Sequence, residues 1–327
     1  MDVEQIVAEC EPSVSLPELV KALNLFYHEF EAECYDRTHD VIWKHELPVF
    51  VKLVEAVRDS LNLPSVAVLD FGCGTGFGCY HVVKIVGAGR INSVVCVDPS
   101  PAMLAKCKQR LDGVFAEARY TNDPDAFLAC QEWLGHFDIV VTNSVLHHVY
   151  AWEKLLGRLV ELLKPGGFYV MGHEPSSRFY TNPECRKHYA AFLRERGWRR
   201  FLDGRRWVAF ARQKFGLEPD LLHSTAQAAL EAGLTQRLLD RKVVAELVDY
   251  HVPHVVRGAA RAEGLDFRLI ESQMAGVLSL HAVATYAYTG GFLPGSLPRK
   301  WRRIAEHLGK AYPLDGANFC ALWKKVA

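Results

Sequence analysis

Short apolar runs alternate with amphipathic stretches between residues 66 and 175. The runs have the length of buried strands, and they lie at about 66–70, 94–98, 117–121, 137–142 and 168–173. Strands that alternate with helices are typical of a parallel sheet covered by helices on both faces. The pattern therefore predicts an α/β fold with a doubly wound, mostly parallel sheet.

The segments on either side of this region have mainly helical patterns, with apolar residues three and four positions apart. Two further apolar runs, at 265–270 and 318–323, predict a sixth and a seventh strand, with a helical insertion at 275–317 between them. The pattern divides the chain into a helical N-terminal cap at 1–63, a core at 64–175, a helical insertion or lid at 176–263 and the C-terminal strands of the core at 264–327.

A glycine-rich turn follows the first predicted strand. Asp70 ends the strand, and Gly72, Gly74 and Gly76 follow at alternate positions, where the missing Cβ atoms let the backbone approach a ligand closely. A dinucleotide-binding turn has the spacing Gly-x-Gly-x-x-Gly, which no register of this turn fits. The carboxylate of Asp70 would repel a pyrophosphate and attract an ammonium or sulfonium group. The turn therefore argues against NAD.

A second acid, Asp98, ends the next apolar run and is followed by Pro99. An acid at the tip of the second strand of a doubly wound sheet can accept hydrogen bonds from both ribose hydroxyls of an adenosine. Together with the turn Asp70-x-Gly-x-Gly-x-Gly, this acid resembles the first two motifs of the class I S-adenosylmethionine-dependent methyltransferases. The resemblance covers about residues 66–175, and it implies a Rossmann-like sheet of seven strands.

The same resemblance implies S-adenosyl-L-methionine as the cofactor. Asp70 and the three glycines would hold its methionyl end, and Asp98 would hold the ribose, with Pro99 beside it. Cys73 lies within the turn, where we interpret it as a compact residue in a cramped space and not as a nucleophile.

The adenine is assigned less directly. The resemblance places a polar adenine contact just after the third strand, which nominates Asn122 and Asp123, with Asp125 as the alternative. The sequence Asn-Asp-Pro is also good turn and helix-cap chemistry, so a structural role stays open. Met103, one helical turn past the ribose acid, could lie on the adenine ring or pack in the core.

Three further residues are candidates for contacts with the cofactor. Asn143 follows the fourth strand, at the carboxyl edge of the sheet. Family members commonly close the cofactor site with aromatic residues from an N-terminal cap, which nominates Tyr27 and Tyr35. Ordinary packing of an amphipathic helix would also explain both tyrosines.

The acceptor end has three catalytic candidates. His147 and His148 follow the fourth strand in a segment similar to the Leu-His-His of small-molecule methyltransferases of the ubiquinone-biosynthesis type, and an imidazole can take a proton near neutral pH. Glu174 ends the fifth strand, which would place a carboxylate at the rim of the site. Structural alternatives are a histidine that holds the loop and an acid that caps the next helix.

Two observations favour a small-molecule acceptor. The loop after the fourth strand lacks Asp/Asn-Pro-Pro-Tyr/Phe, the motif that would orient an amino group of a DNA base or a glutamine amide. With 38 basic and 38 acidic residues, the chain also has no net field that would attract nucleic acid. A methyltransferase of nucleic acid or protein, or a non-catalytic scaffold that binds the cofactor, remains the alternative.

The remaining features predict absences. The nine cysteines lack the paired spacing of zinc sites, and Pro253 interrupts the pair His251 and His254, so we expect no metal ion. No segment has the roughly 18 apolar residues of a membrane span, and the N-terminus has no apolar signal run. We therefore expect a cytoplasmic protein.

Overall fold

The computed structural model describes residues 7–8, 10–39, 42–199, 220–252, 255–256, 259–260, 264–290 and 297–326. Within these residues, seven strands form one sheet, and they are β1 (Val66–Phe71), β2 (Ile91–Val97), β3 (Arg119–Thr121), β4 (Phe137–Asn143), β5 (Leu163–Pro175), β6 (Leu278–Tyr286) and β7 (Asn318–Lys325). Strands at Val255–Val256 and Ala259–Ala260 form a separate small hairpin.

The sheet has the order β3-β2-β1-β4-β5-β7-β6. Strands β1 to β5 pair in parallel, whereas β7 runs antiparallel to both of its neighbours. The order reverses direction between β1 and β4, and in open α/β sheets such a switch point is where ligands bind. The predicted fold class, a doubly wound and mostly parallel sheet of seven strands, is confirmed.

Helices cover both faces of the sheet. Those of the N-terminal cap are α1 (Leu16–Glu31), α2 (Tyr35–Thr38) and α3 (Leu47–Ser60), with a π-helical turn at Ile42–Glu46 before the third. Those of the core are α4 (Phe77–Val86), α5 (Pro101–Leu111), α6 (Pro124–Ala129) and α7 (Trp152–Leu162). Those that follow are α8 (Ser177–Thr181), α9 (Pro183–Arg199), α10 (Leu221–Glu231), α11 (Arg241–Val248), α12 (Phe267–Gln273) and α13 (Arg299–Ala311). Short 3-10 turns lie at Ala88–Arg90, Gln131–Trp133 and Leu146–His148.

Alternate residues of the central strands enter two different cores. Val68 of β1 belongs to the same buried cluster as Phe50 of α3 on one face, whereas the next residue, Leu69, belongs to the cluster of Leu159 of α7 on the other. All six residues of β1 are buried, as expected for the centre of a parallel sheet covered on both sides. This rigid centre carries the glycine turn.

The cap and the insertion share a third core. Leu19 and Leu23 of α1 pack against Ala226 of α10 and against Val244 and Leu247 of α11. Residues from the two predicted segments 1–63 and 176–263 therefore form one helical layer, although residues 200–219 of the insertion lie outside the described residues. Among the helices that the structure describes, none combines the length and the apolar character that a membrane crossing requires.

One predicted strand is wrong. Residues 265–270 were expected to form the sixth strand, but they lead into the helix α12. The side chain of Asp266 accepts a hydrogen bond from the backbone N–H of Arg268, which caps this helix, and Phe267 and Ile270 lie on its buried face. The sixth strand is β6 instead, within the segment that we expected to be a helical insertion. Its residues alternate only weakly in burial, which is why the pattern did not reveal it.

Candidate active site

A cavity of about 500 Å³ lies at the carboxyl ends of β1, β2 and β4, beneath helix α1. The predicted site residues in its wall are Tyr35, Gly72, Cys73, Gly74, Asp98, Pro99, Met103, Asn143 and His148. The predicted residues outside its wall are Tyr27, Asp70, Gly76, Asn122, Asp123, His147 and Glu174. Most of the predicted residues therefore line one cavity, and several of the others stabilise the elements that form its wall.

The glycine turn has a backbone that other residues adopt rarely. Gly72 has φ of +68°, and a Cβ atom added there would lie 2.4 Å from Cγ2 of Val145. Gly74 has φ of +51°, and an added Cβ atom would meet nothing within 4 Å. Gly72 is needed because a larger residue would clash with Val145 and would be strained at this positive φ. At Gly74 the φ is also positive, but the space beside the Cα atom is open.

Asp70 lies beneath the turn. Its side chain is fully buried, and its Oδ2 accepts a hydrogen bond of 2.7 Å from the backbone N–H of Cys79 in α4. Burial raises the pKa of its carboxyl to about 7. Its position supports a role in fixing the start of α4, and its predicted contact with the cofactor stays a prediction.

Asp98 joins the turn to the next helix. Its Oδ2 accepts from the backbone N–H of Gly74 at 2.8 Å, and its Oδ1 accepts from the backbone N–H of Ser100 at 2.9 Å. Burial raises the pKa of this carboxyl to about 6. A carboxylate has about four lone-pair positions, so two remain for a ligand in the cavity.

The cap is tied to the glycine turn by charged side chains. The hydroxyl of Thr75 donates to Asp36 at 2.8 Å, and Arg110 donates to both residues while its guanidinium carbon lies 5.0 Å from the ring centre of Trp43. Glu29 of α1 accepts a hydrogen bond from the Ser100 hydroxyl. These contacts hold α1 and α2 over the cavity.

The two predicted cap tyrosines differ in position. Tyr35 lies in the cavity wall and stacks on His39, with ring centres 4.3 Å apart. Tyr27 packs with the helical layer of α1, α10 and α11, and the nearby carboxylate of Glu31 adds to the burial that raises its pKa. Only the first is placed to touch a ligand.

The end of the cavity near β3 is more exposed. Asp123 caps α6 by accepting from the backbone N–H of Ala126 at 2.9 Å, and both it and Asn122 are exposed. The cavity wall contains Asp125 instead, which pairs with Lys21 of α1. The capping alternative is therefore realised for Asp123, and the adenine contact stays a prediction.

Glu174 is not at the rim. It is fully buried, and its carboxylate accepts backbone hydrogen bonds from Val145, Leu146 and His147 at 3.0, 2.9 and 3.2 Å. Its Oε2 also accepts from Nδ1 of His147 at 2.8 Å. Burial raises the pKa of this carboxyl to about 7, against the effect of these bonds. The prediction that Glu174 lies at the rim is wrong. Its carboxylate is buried and holds the loop that contains His147 and His148, which we call the histidine loop.

His148 lies in the cavity wall and is held from the insertion. Its Nδ1 donates to the backbone carbonyl of Val248 at 2.6 Å, so its Nε2 carries a lone pair. The ring of His28, also in the wall, meets it edge to face with centres 5.0 Å apart. Burial, and then the neighbouring His147, lower the pKa of His148 to about 3, which keeps it neutral at pH 7.

Sequence reasoning missed a buried acid beside the cavity. Glu46 is fully buried, and Nδ1 of His173 lies 3.4 Å from its Oε2. Within the described residues, the carboxylate oxygens of Glu46 and Oδ1 of Asn143 make no hydrogen bond of ordinary geometry. A Cβ atom added to Gly172 would lie 1.8 Å from that Oδ1 and 2.9 Å from Oε1 of Glu46, so the two side chains converge over this glycine. No motif marks Glu46, because only folding of the cap brings it to the sheet.

Cys73 belongs to a buried group of thiols. One ligand atom each from Cys73, Cys96 and Cys107 lies within 4.8 Å of the others, and Cys79 lies 3.8 Å from the sulfurs of the last two. Burial raises the pKa of the Cys73 and Cys79 thiols well above the ordinary value. They therefore pack as small protonated core residues beneath the turn.

The chain is similar to known methyltransferases over its core. Residues 69–169 match a family model described as a methyltransferase domain. An arsenite methyltransferase from Aquipseudomonas alcaligenes is 35% identical over 106 residues, which are 31% of this chain and 30% of that protein. A ubiquinone biosynthesis O-methyltransferase from Bradyrhizobium sp. is 34% identical over 113 residues, or 34% of this chain and 42% of that protein.

A carboxy-S-adenosyl-L-methionine synthase from Shewanella sp. is 22% identical over 140 residues, or 40% of this chain. The chain spans 55% of the length of that relative. Among solved structures, the plantazolicin methyltransferase BpumL in complex with SAH has a TM-score of 0.47 and 11% identity, over 95% of this chain and 98% of that one.

The observations on the core agree with one another. The sheet order, the glycine turn under the cavity, the acid after β2 and the match over residues 69–169 all fall on the same strands. Over residues 69–169, the chain therefore carries a domain similar to those of the class I S-adenosylmethionine-dependent methyltransferases.

Proposed function

We propose that this protein transfers the methyl group of S-adenosyl-L-methionine to an oxygen, nitrogen or carbon atom of a small-molecule acceptor. The observation that carries the proposal is the continuity of one cavity from Gly74 and Asp98 at one end to His148 at the other. A volume of about 500 Å³ is in the range of small-molecule sites. Such a space can hold a cofactor and present its reactive group to a second ligand.

The cofactor would lie along the carboxyl ends of β1 and β2. The backbone of Gly72 and Gly74 would face the methionyl end, and the two free acceptor positions of Asp98 would take the ribose hydroxyls. Met103 and the segment at Asp125 would border the adenine. This orientation directs the sulfonium toward Asn143 and the loop after β4, where the methyl would be transferred.

The protein's task in this reaction is alignment. The sulfonium methyl is already activated, so the acceptor atom needs to attack in line, with water excluded. Helices α1 and α2 cover the cavity and are fixed by the contacts of Glu29 and Asp36. The cap would therefore shield the reacting atoms.

His148 has one defined chemical capacity. Its Nε2 can accept a hydrogen bond or a proton from an acceptor in the cavity. A pKa of about 3 makes it a weak base, because general bases work best with a pKa near the working pH. We propose that it orients the acceptor, with Glu174 and His147 as positioning residues that hold the loop.

A small acceptor fits the site better than a polymer. The cap covers the cavity, and the pair of Lys21 and Asp125 borders the outer end of this cavity. A small molecule can occupy such a covered site, whereas a polymer needs an open groove. The chain carries 38 basic and 38 acidic residues and has no excess charge for nucleic acid. The named relatives of arsenite and ubiquinone metabolism are consistent with a small acceptor.

Calorimetric titration with S-adenosylmethionine and S-adenosylhomocysteine tests the proposal. We expect both to bind, and we expect Asp98→Ala to weaken binding by at least about 100-fold, because it removes charge-assisted hydrogen bonds. Asp112→Ala is the matched control, since this acid is exposed at the end of α5. A screen of metabolites with methyl-labelled cofactor then finds the acceptor. Binding without transfer to any acceptor would indicate a scaffold, and no binding would reject the proposal.

A further inference from the structure

Two histidines and an acid meet at the far end of the cavity. One potential ligand atom from each of His147, His148 and Asp249 lies within 4.8 Å of the other two. The histidines come from the turn after β4, whereas the acid follows α11 in the insertion. Oδ1 of Asp249 also lies 3.7 Å from Nδ1 of His148, which is the ring nitrogen that donates to a backbone carbonyl and not the one left for a metal ion.

Both imidazoles are held in the tautomer that a metal ion requires. Nδ1 of His147 donates to Glu174 at 2.8 Å, and Nδ1 of His148 donates to the carbonyl of Val248 at 2.6 Å. Each Nε2 therefore presents a lone pair. Metal-binding histidines almost always donate their other ring nitrogen to a carboxylate or a backbone carbonyl in this way.

The surroundings carry additional donors and negative charge. His28 of α1 lies beside His148, and its Nδ1 donates to the carbonyl of Asn24 at 2.8 Å, so its Nε2 carries a lone pair. Glu31 is 3% exposed and lies close enough to Asp249 for the two acids to interact. A bound cation would offset the charge of these acids.

We infer that His147, His148 and Asp249 bind one divalent transition-metal ion at the acceptor end of the cavity. Two imidazoles and a carboxylate suit Zn²⁺, Fe²⁺ or Co²⁺, and three protein ligands leave an open coordination position. His148 lies in the cavity wall, so the open position is within reach of an acceptor. The acceptor would then be a molecule with an oxygen or nitrogen that ligates a metal, and this part of the inference rests on the proposed function.

Metal titration of the full chain tests the inference directly. After treatment with a chelator and its removal, we expect Zn²⁺ to bind at one ion per chain by calorimetry, and Co²⁺ to give visible absorption bands. Asp249→Asn and His147→Gln are each expected to weaken binding by about tenfold or more. His136→Gln, a histidine at the opposite end of β4, is the control and should bind like the parent protein.

Titration of each variant with S-adenosylhomocysteine separates this inference from the proposed function. Loss of metal binding in Asp249→Asn with unchanged cofactor binding supports the inference, and the half-exposed position of Asp249 makes this variant the one that retains the fold. Failure of the parent protein to bind either ion, or equal binding by Asp249→Asn, overturns it even if methyl transfer is found. Metal binding by a chain that binds no cofactor would overturn the proposed function alone.

Discussion

The two ends of the cavity are built in different ways. The glycine end, which we define as Asp70, the turn 72–76 and Asp98, comes from two neighbouring strands and the turn between β1 and α4. The histidine end, which we define as His28, His147, His148 and Asp249, joins the cap, the core and the insertion. The first depends on local backbone conformation, and the second depends on long-range packing.

Their buried carboxylates show the same difference. Asp70 accepts one hydrogen bond, from the backbone of Cys79, whereas Glu174 accepts four, three of them from the backbone of the histidine loop. Both carboxyls have a pKa raised to about 7 by burial. We therefore expect their contributions to stability to differ through the number of donors they satisfy and not through their burial.

The largest effect is expected at the glycine end. Gly72→Ala places a Cβ atom 2.4 Å from Val145 at φ of +68°, and we expect a loss of about 2–5 kcal/mol of unfolding free energy together with cofactor binding. Denaturant unfolding and calorimetry measure the two effects. Gly89→Ala, at an exposed position where an added Cβ atom meets nothing within 4 Å, is the control and should be close to neutral. A stable Gly72→Ala variant would contradict the proposed constraint.

An isosteric exchange of carboxylate for amide compares the two ends. Glu174→Gln turns one acceptor into a donor that faces N–H groups, and we expect a loss of about 2–4 kcal/mol, because buried donors are left without partners. Asp70→Asn keeps an acceptor for Cys79 and puts its N–H₂ where Oδ1 already lacks a partner, so we expect the smaller loss, about 1–2 kcal/mol. Thermal and denaturant unfolding of both variants measure the two losses of unfolding free energy. Equal losses would mean that burial, and not donor number, sets the energy.

The smallest effect concerns pH. The folded-state pKa of His148, about 3, lies below the ordinary value of 6.5, so only the unfolded chain takes up this proton between the two values. Its contribution to stability is therefore lost as the pH falls from about 6.5 toward 3, by at most about 1.4 kcal/mol per pH unit. The difference in unfolding free energy between the parent protein and His148→Gln, measured with a chelator present, should shrink as the pH falls. A difference that does not change with pH would show that this ring is not buried as a neutral group.

Sequence-based prediction succeeded where local conformation sets the structure and failed where long-range packing sets it. The strands at the centre of the sheet were found because runs such as Val94–Val97 are buried on both sides and therefore apolar throughout. The edge strand β6 was missed, and 265–270 was assigned in its place, because the partly exposed residues of β6 do not form an apolar run. Edge strands are stabilised by pairing with a neighbour, which no local pattern records.

The site residues divide in a similar manner. The motif indicated Asp98, and the structure places it in the cavity wall. Glu174 was located on the correct strand but with the wrong exposure, because its burial depends on the loop that folds over it. Glu46 and Asp249 were not predicted at all. Each lies in a helical segment, and no local sequence pattern indicates how that segment packs against the core.

The sequence by itself determined the parallel sheet, the glycine turn and the acid after the second strand. These features follow from hydrophobic periodicity and from the conformations that glycine allows, and both act over a few residues. The tertiary structure decided what lies opposite the cofactor end. His148 and Asp249 are about a hundred residues apart in the chain, and only the burial of apolar residues between α1 and the insertion brings them together.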